Sequence, residues 1–147
     1  MGLLIARGQT SAQLLKNVSA SGAVQIATET EKDLSVDADA SATNSDTGIG
    51  VAIGILTADS GNVLTVAENI ILKAGSLELA SVMPEAAGEE TLGNGKNDIS
   101  VKTTSGAGAS NVGVAGSVAI AVINMQYEAV LPVAVEAGGE VMLRAEQ

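Results

Sequence analysis

Four aspartates in the first third of the chain are the residues whose type and spacing could support chemistry. They are Asp33, Asp37, Asp39 and Asp46. Calcium takes about six to eight oxygen ligands, and carboxylates on successive turns of a repetitive fold could supply them. The chain lacks a calcium-binding nonapeptide and an EF-hand loop, and Lys102 and Thr104 replace Asp37 and Asp39 further along. The pattern therefore favours a solvated outer face over a calcium site, and no other cofactor is expected.

Composition argues against catalysis and against nucleic acid as a partner. The chain has no cysteine and no histidine, which excludes disulfides, the usual zinc sites and a Ser/His/Asp triad. Its 17 acidic and 7 basic residues give a net charge of −10, which repels phosphate backbones. Paired carboxylates could cleave glycosides, but aromatic platforms are missing apart from Tyr127, which we expect in a surface turn. We therefore expect no enzyme.

The interior must be built from small aliphatic side chains. Phe and Trp are absent and the chain of 147 residues has one Tyr, so Ala, Val, Ile and Leu must fill the core, which is then narrow and regular. The longest apolar tracts are Gly48–Leu56 and Val112–Ile123. Both are shorter than the about 20 residues that a membrane-spanning helix needs. We expect both tracts to form buried strands, and no membrane-spanning segment.

Short blocks of sequence recur in the same order 65 to 71 residues apart. The matches are Leu4–Gly8 with Ile71–Gly75 and Met142–Glu146, Asp33–Val36 with Asp98–Val101, Val51–Ile55 with Val118–Val122, and Val63–Val66 with Val130–Val133. Internal repetition at a fixed period is typical of solenoids. We therefore interpret residues 1–147 as one segment with repeat 1 at about 4–70, repeat 2 at about 71–141, and the start of a third repeat at 142–147.

Within each repeat the hydrophobic pattern is that of β-strands. Apolar and polar residues alternate from Leu34 to Thr43, a period of two that indicates a strand with one buried face. Turn-forming groups containing Gly, Asn, Asp and Ser separate such runs, and we interpret Thr10–Lys16 and Pro84–Thr91 as loops or short turns. The sequence predicts an all-β fold, a parallel β-helix with about three coils of roughly 20–25 residues in each repeat. A β-sandwich is the alternative.

The second repeat resembles a known kind of sequence. Gly113–Ile120 and Gly138–Ala145 together are similar to the "GVAGSVAV" and "AGGxVxVxA" elements in the repeat region of the large filamentous leukotoxin/adhesin-type proteins of bacteria. The first repeat has a weaker version in Thr47–Leu56 and Ala67–Gly75, where Glu68 and Asn69 replace the double glycine. The resemblance implies a parallel β-helix segment of a long secreted or surface-anchored protein, and it implies no catalytic residues.

Three functions follow from these patterns. The first is a rod or stalk segment of an extracellular or cell-surface bacterial adhesin or filament. Its partners would be neighbouring repeats of a longer chain and a host-surface receptor, which the variable segment Met83–Lys96 could face. The second is a filament subunit that stacks end to end with copies of itself. The third is a calcium- or carbohydrate-binding module. The start Met1–Arg7 resembles an artificial start on a piece of a longer chain.

Overall fold

All regular elements of the described chain are β-strands. The computed structural model describes residues 1–83 and 97–146. The strands in these ranges are β1 Gly2–Leu14, β2 Val18–Ser19, β3 Ala23–Glu29, β4 Leu34–Val66, β5 Leu72–Ala74, β6 Ser76–Val82, β7 Ile99–Val130, β8 Val135–Ala137 and β9 Val141–Glu146. The described residues contain no helix long and apolar enough to cross a membrane. The all-β prediction is confirmed.

The strands form three sheets, and each sheet takes every third strand of the chain. Their orders are β1-β4-β7, β2-β5-β8 and β3-β6-β9. The strands of the second and third sheets run parallel to one another. A parallel neighbour requires the chain to leave the sheet and return to it. Here it returns after passing once through each of the other two sheets.

The expected coil of roughly 20–25 residues is wrong for the second and third sheets. Leu72 pairs with Val18 and with Val135, and Leu77 pairs with Val24 and with Val141. Neighbouring strands are therefore 53 to 64 residues apart in sequence, about one whole repeat. The reason is the length of β4 and β7, which have 33 and 32 residues. One repeat supplies one strand to each sheet instead of three.

The described residues divide into two compact units. Unit 1 comprises residues 1–7, 32–59 and 97–124, and unit 2 comprises residues 8–31, 60–83 and 125–146. Each unit therefore takes three stretches of the chain, and within unit 2 we call these stretches the first, second and third layers. The extents predicted for the sequence repeats stay a prediction.

In unit 2 the second layer supplies the centre of the core. The alternation of apolar and polar residues sends its leucines to the inner face, where Leu64, Leu72 and Leu79 are fully buried. Half-buried aliphatic side chains of the first and third layers pack against this centre. They are Ala12, Leu14, Val18, Val24 and Ile26 from the first layer, and Leu131, Val133 and Val135 from the third.

A buried asparagine joins strands at one corner of unit 2. The side-chain amide of Asn62 donates to the backbone carbonyl of Val82 at 2.7 Å, and its carbonyl oxygen accepts from the hydroxyl of Thr30. The hydroxyl of Ser81 donates to the backbone carbonyl of Asn62 at 2.8 Å. Buried polar groups are costly unless they are bonded, so these bonds allow a fully buried amide in an otherwise aliphatic interior.

Unit 1 has its own smaller core. Val36, Leu56 and Ala58 are buried, and the side chains packed against them include those of Leu34 and Ile99. Several hydrogen bonds in this unit join residues that are 64 or 65 positions apart. The backbone N–H of Leu34 donates to the carbonyl of Asp98 at 2.8 Å, so the matched blocks Asp33–Val36 and Asp98–Val101 begin next to each other in space.

A glycine corner connects the second and third sheets in unit 2. The backbone N–H of Gly75 donates to the carbonyl of Gly22 at 2.8 Å, and that of Gly138 donates to the carbonyl of Ala74 at 3.1 Å. A Cβ added at Gly75 would lie 2.5 Å from the carbonyl oxygen of Ser21. Only glycine permits so close an approach of backbone to backbone.

The first set of matched sequence blocks does not occupy equivalent positions in the structure, so this match is wrong. Leu4–Gly8 lies in β1, Leu72–Ala74 forms β5, and Met142–Ala145 lies in β9, so the three blocks belong to three different sheets. Short aliphatic strings of this kind recur by composition alone. The expectation of a loop is also wrong for the start of Thr10–Lys16, since β1 continues to Leu14. Pro84–Thr91 lies outside the described residues.

Substitutions at a buried inner position of β6 and at its exposed partner in β9 should differ sharply in their effect on the free energy of unfolding. Leu79 and Leu143 are direct partners in the β6–β9 register, but they are 0% and 47% exposed. Leu79→Ala is expected to lower the free energy of unfolding by about 2–5 kcal/mol through cavity formation. Leu143→Ala is expected to lower it by about 1 kcal/mol, because half of that side chain is already in water. Urea unfolding of both variants measures the contrast, and equal losses would contradict the layered core.

Candidate functional site

The structure places the four aspartates along β4 and just before it, in unit 1, where three of them accept hydrogen bonds. Asp33 accepts from the backbone N–H of Asp98 at 2.9 Å. Asp39 accepts from the hydroxyl of Ser41 at 2.8 Å, and Asp46 accepts from that of Ser110 at 3.0 Å. Asp37 is exposed. The described residues contain no group of three or more acidic side chains arranged to hold a metal ion.

Calcium is therefore expected to leave the thermal unfolding of this chain unchanged. A calcium ion bound only by the folded state at about 100 times its Kd would add about 2.7 kcal/mol of stability. We expect no rise in Tm in millimolar calcium, measured by circular dichroism with magnesium as the control. A rise in Tm that is absent in the double variant Asp37→Asn, Asp39→Asn would contradict this expectation and support the calcium site.

Tyr127 lies in a strand, so the expected surface turn is wrong. It belongs to β7, is half-buried, and its hydroxyl contacts the sulfur of Met125 at 3.7 Å. Burial raises the pKa of the Tyr127 hydroxyl above its ordinary value of 10.0. Its neighbour Gln126 lies against Gly61, so Tyr127 occupies in the third layer about the position that Asn62 has in the second.

The single tyrosine permits a clean spectroscopic titration. We expect the absorbance at tyrosinate wavelengths to rise with a midpoint above 10.0 in the folded chain, because burial disfavours the charged form, and with a lower midpoint in urea. A pKa raised by folding contributes stability below the unfolded pKa and loses it as the pH rises through the folded pKa. Tyr127→Phe should remove that loss, and coincident folded and urea midpoints would contradict the burial of this ring.

The most distinctive surface of unit 2 is the uncovered side of its third layer. Val141 and Leu143 continue the inner columns that begin with Val24 and Ile26 and pass through Leu77 and Leu79. The second-layer leucines are at most 2% exposed, whereas Val141 and Leu143 are 46% and 47% exposed. The same type of inner position is thus buried where a further layer covers it and exposed to solvent where none does.

Unit 1 has a second exposed apolar segment. Val112–Ile123 was expected as a buried strand; it is a strand, part of β7, but all of its residues are exposed. Val114, Val118 and Val122 are 57%, 52% and 53% exposed. Gly48–Leu56, also expected as a buried strand, lies in β4 and is buried on one face only: Ala52 and Leu56 are fully buried, whereas Ile49 and Val51 are exposed. Soluble surfaces rarely expose contiguous apolar stretches of this kind without a partner.

Rows of polar side chains run across the outer faces of the sheets in unit 2. The side-chain amide of Gln25 donates to Glu78 at 3.0 Å, and Arg144 lies 3.7 Å from another oxygen of Glu78. Arg144 also pairs with Glu146 at 2.7 Å, which raises the pKa of the guanidinium and lowers that of the carboxyl. Exposed pairs of this type add little stability, but they mark which strands lie next to each other.

The described cleft in unit 2 is too small and too open for a typical small-molecule site. It has a volume of about 170 Å³ and is lined by Gln25, Ser76, Glu78, Glu140 and Met142, among others. Ligand pockets usually span about 300–1,000 Å³. Its lining includes no aromatic ring and no basic side chain, which are the groups that hold sugars and acidic ligands.

The comparisons with known proteins assign no relative. No protein-family model matches the sequence, and the searches of curated proteins and of solved structures found no match. The functional argument therefore rests on the chain's own geometry. The sequence shows no convincing cap at Val141–Gln147, but sequence reasoning did not single out Val141 and Leu143. The signal that could have identified them is the alternation within β9, which places both on the inner face.

Proposed function

We propose that the chain is a structural segment, a length of parallel β-helix that acts as a rod or stalk in a secreted or surface-anchored bacterial protein of the adhesin or filament type. One sequence repeat forms one layer of the helix. The sheets give the segment length and resistance to proteolysis, while its outer faces carry the negative charge that keeps the surface solvated.

The observation that carries this proposal is the contrast between the covered and uncovered positions of one inner column. Leu79 is fully buried between layers, while its partner Leu143 is 47% exposed. The contrast follows from the covering of one layer by the next, which removes aliphatic surface from water. Covering of this kind is the interaction by which a rod is built up layer by layer. The geometry thus supports a stacking, structural element.

Two further features support an extracellular structural role. The second repeat resembles the repeat region of large filamentous bacterial leukotoxin/adhesin-type proteins, in Gly113–Ile120 and Gly138–Ala145. The outer faces carry single ion pairs such as Lys73 with Glu136, which join neighbouring strands and form no convergent site. Among the described residues the aspartates, the cleft and Tyr127 provide no arrangement suited to catalysis.

Stretching single molecules tests the mechanical role. The chain is held between two marker domains and pulled from its ends by force spectroscopy. Detachment of one layer frees 53 to 64 residues, or about 200 Å of extended chain at about 3.3–3.6 Å per residue. We expect extension in steps of that length, each at a measurable force, because each layer is held by its own ladders of backbone hydrogen bonds.

Matched variants show whether the stack carries the load. Leu79→Ala should lower the force of the steps, whereas Leu143→Ala on the same column should change it much less, because that position is uncovered. Extension without force peaks, in the manner of an unfolded chain, would overturn the proposed rod.

A further inference from the structure

In unit 1, two stretches of β4 lie face to face. They are residues 34–43 and 47–58, and their buried side chains share one core. A Cβ at Gly50 would overlap with the carbonyl oxygens of Ala40 and Gly106, so the facing backbones approach each other closely. Large side chains do not fit between them there. The buried positions of the second stretch around this contact are accordingly small: Gly48, Gly50, Ala52 and Gly54.

The isoleucines and the valine of the second stretch face outward. Successive residues of a strand point to opposite sides, so the side opposite the buried small residues carries Ile49, Val51, Ile53 and Ile55. Ile49 and Val51 are 68% and 58% exposed. This arrangement is the reverse of that in unit 2, whose leucines point inward. The fold of unit 1 thus gives these four side chains no place in its interior.

The neighbouring strand β7 repeats this pattern. The side-chain amide of Asn124 donates to the carboxylate of Asp59 at 3.3 Å, so the even-numbered residues of β7 share a side with the odd-numbered residues of β4. From Val112 to Val122 these even-numbered residues are Val and Ile, apart from Gly116. We call them, together with the four outward residues of β4, the aliphatic face. None of its residues is charged.

The exposure of the aliphatic face does not depend on where the layers begin and end. Its β4 part belongs to the central strand of a sheet, with β1 on one side and β7 on the other. Leu4 of β1 packs against the core of unit 1, so Leu3 and Ile5 point outward beside the face, and both are exposed. Further layers add strands at the edges of a sheet, so a longer stack would leave this face open.

We propose that a second copy of this chain packs its own aliphatic face against this one, so that two sheets lie face to face about a two-fold axis. The contact is lateral and goes beyond the proposed rod, which concerns stacking along one chain. The opposite outer side of unit 1 is unsuited to the role, because it exposes Asp37, Asp39 and Lys102. An aliphatic surface leaves water only against another apolar surface, and a second copy provides one of the same extent.

The size of the aliphatic face meets the lower limit for a specific interface. Residues 47–58 extend over about 40 Å at about 3.3 Å per residue, and three strands span about 14 Å at about 4.8 Å per strand. Each copy thus contributes about 500 Å², and a pair buries about 1,000 Å², the area that a specific interface is expected to reach. Outward Val and Ile side chains suit packing of two sheets about 10 Å apart, as in the core of a β-sandwich.

A charge on the aliphatic face should abolish the pair. We expect analytical ultracentrifugation to show the wild-type chain passing from monomer to dimer between about 1 μM and about 1 mM, and no further, because a two-fold contact closes at two copies. Val51→Lys should stay monomeric throughout, since the pair would bury its ammonium group. Leu15→Lys is the matched control: it adds the same charge at a 65% exposed position of unit 2 and should dimerise like the wild type. Val118→Lys is the second block if Val51→Lys does not fold.

A single thiol tests the two-fold symmetry. The chain has no cysteine, so Ile53→Cys places one thiol on the central strand near the middle of the aliphatic face, where a two-fold axis brings the same residue of both copies together. A bismaleimide that spans the about 10 Å between packed sheets should join this variant into a covalent dimer. Leu15→Cys, treated in the same way, should remain unlinked.

Several results would overturn the pair. They are a wild-type chain that stays monomeric at about 1 mM, species that grow beyond two copies, and a dimer that both lysine variants of the face leave unchanged. Flotation of a monomeric chain with phosphatidylcholine vesicles would also overturn it and assign the aliphatic face to a lipid surface.

The result is independent of the stretching experiment. Force spectroscopy observes single molecules, so a monomeric chain that resists force in layer-sized steps would retain the structural role and refute only the second copy as the partner. A chain without force peaks would refute the rod itself.

Discussion

The coverage of each layer by the next is the interaction on which the rest of the structure depends. Apart from the polar corner around Asn62, the buried inner positions of the second layer of unit 2 are aliphatic, and strands lie on both sides of them; Leu64 and Leu79 are fully buried. Their burial comes from the layers on either side and from one another, since inner side chains of all three sheets pack in one cluster. An interior built in this way is filled by Ala, Val, Ile and Leu side chains, which explains how a chain without Phe or Trp still forms a core.

Glycine has a specific place in such a stack. Where the chain turns from the second sheet to the third, Gly22, Gly75 and Gly138 lie in successive layers, and a side chain at Gly75 would meet the carbonyl oxygens below it. In unit 1, a Cβ at Gly50 would overlap with the carbonyl oxygens of Ala40 and Gly106. At Gly50 and Gly75, glycine is thus required by close backbone contacts between layers.

The alternation of apolar and polar residues was sufficient to predict strands and their inner faces. It placed Leu77 and Leu79 on one side and Ser76 and Glu78 on the other, and the registers agree. The partner of each strand could not be derived in this way, because a period of two is unchanged by any even shift. The long strands β4 and β7 also could not be foreseen, since Gly, Ser and Asn within them look like turns in sequence.

Among the four aspartates, only the contact of Asp33 could be predicted, because its partner lies at the matching position of the second sequence block. Asp33 and Asp98 occupy matching positions in sequence, and one bonds the backbone of the other in the structure. Asp37 and Asp39 carried no such relation, so their grouping with Asp33 and Asp46 as calcium ligands rested on composition. The open edge at Val141 and Leu143 depends on which strand comes last in its sheet, and that is a property of the three-dimensional order.

The inner positions of β9 carry no charge that would protect an outer strand. Natural sheets protect their outer strands with proline, with bulges or with charges that point inward. The inner positions of β9 are Val141, Leu143 and Ala145, and its charges, Arg144 and Glu146, stand on alternate positions that face outward. The alternation that buries the inner face of a covered layer is therefore unchanged in β9. The exposure of Val141 and Leu143 follows from strand order alone, because no described strand lies beyond β9 in its sheet.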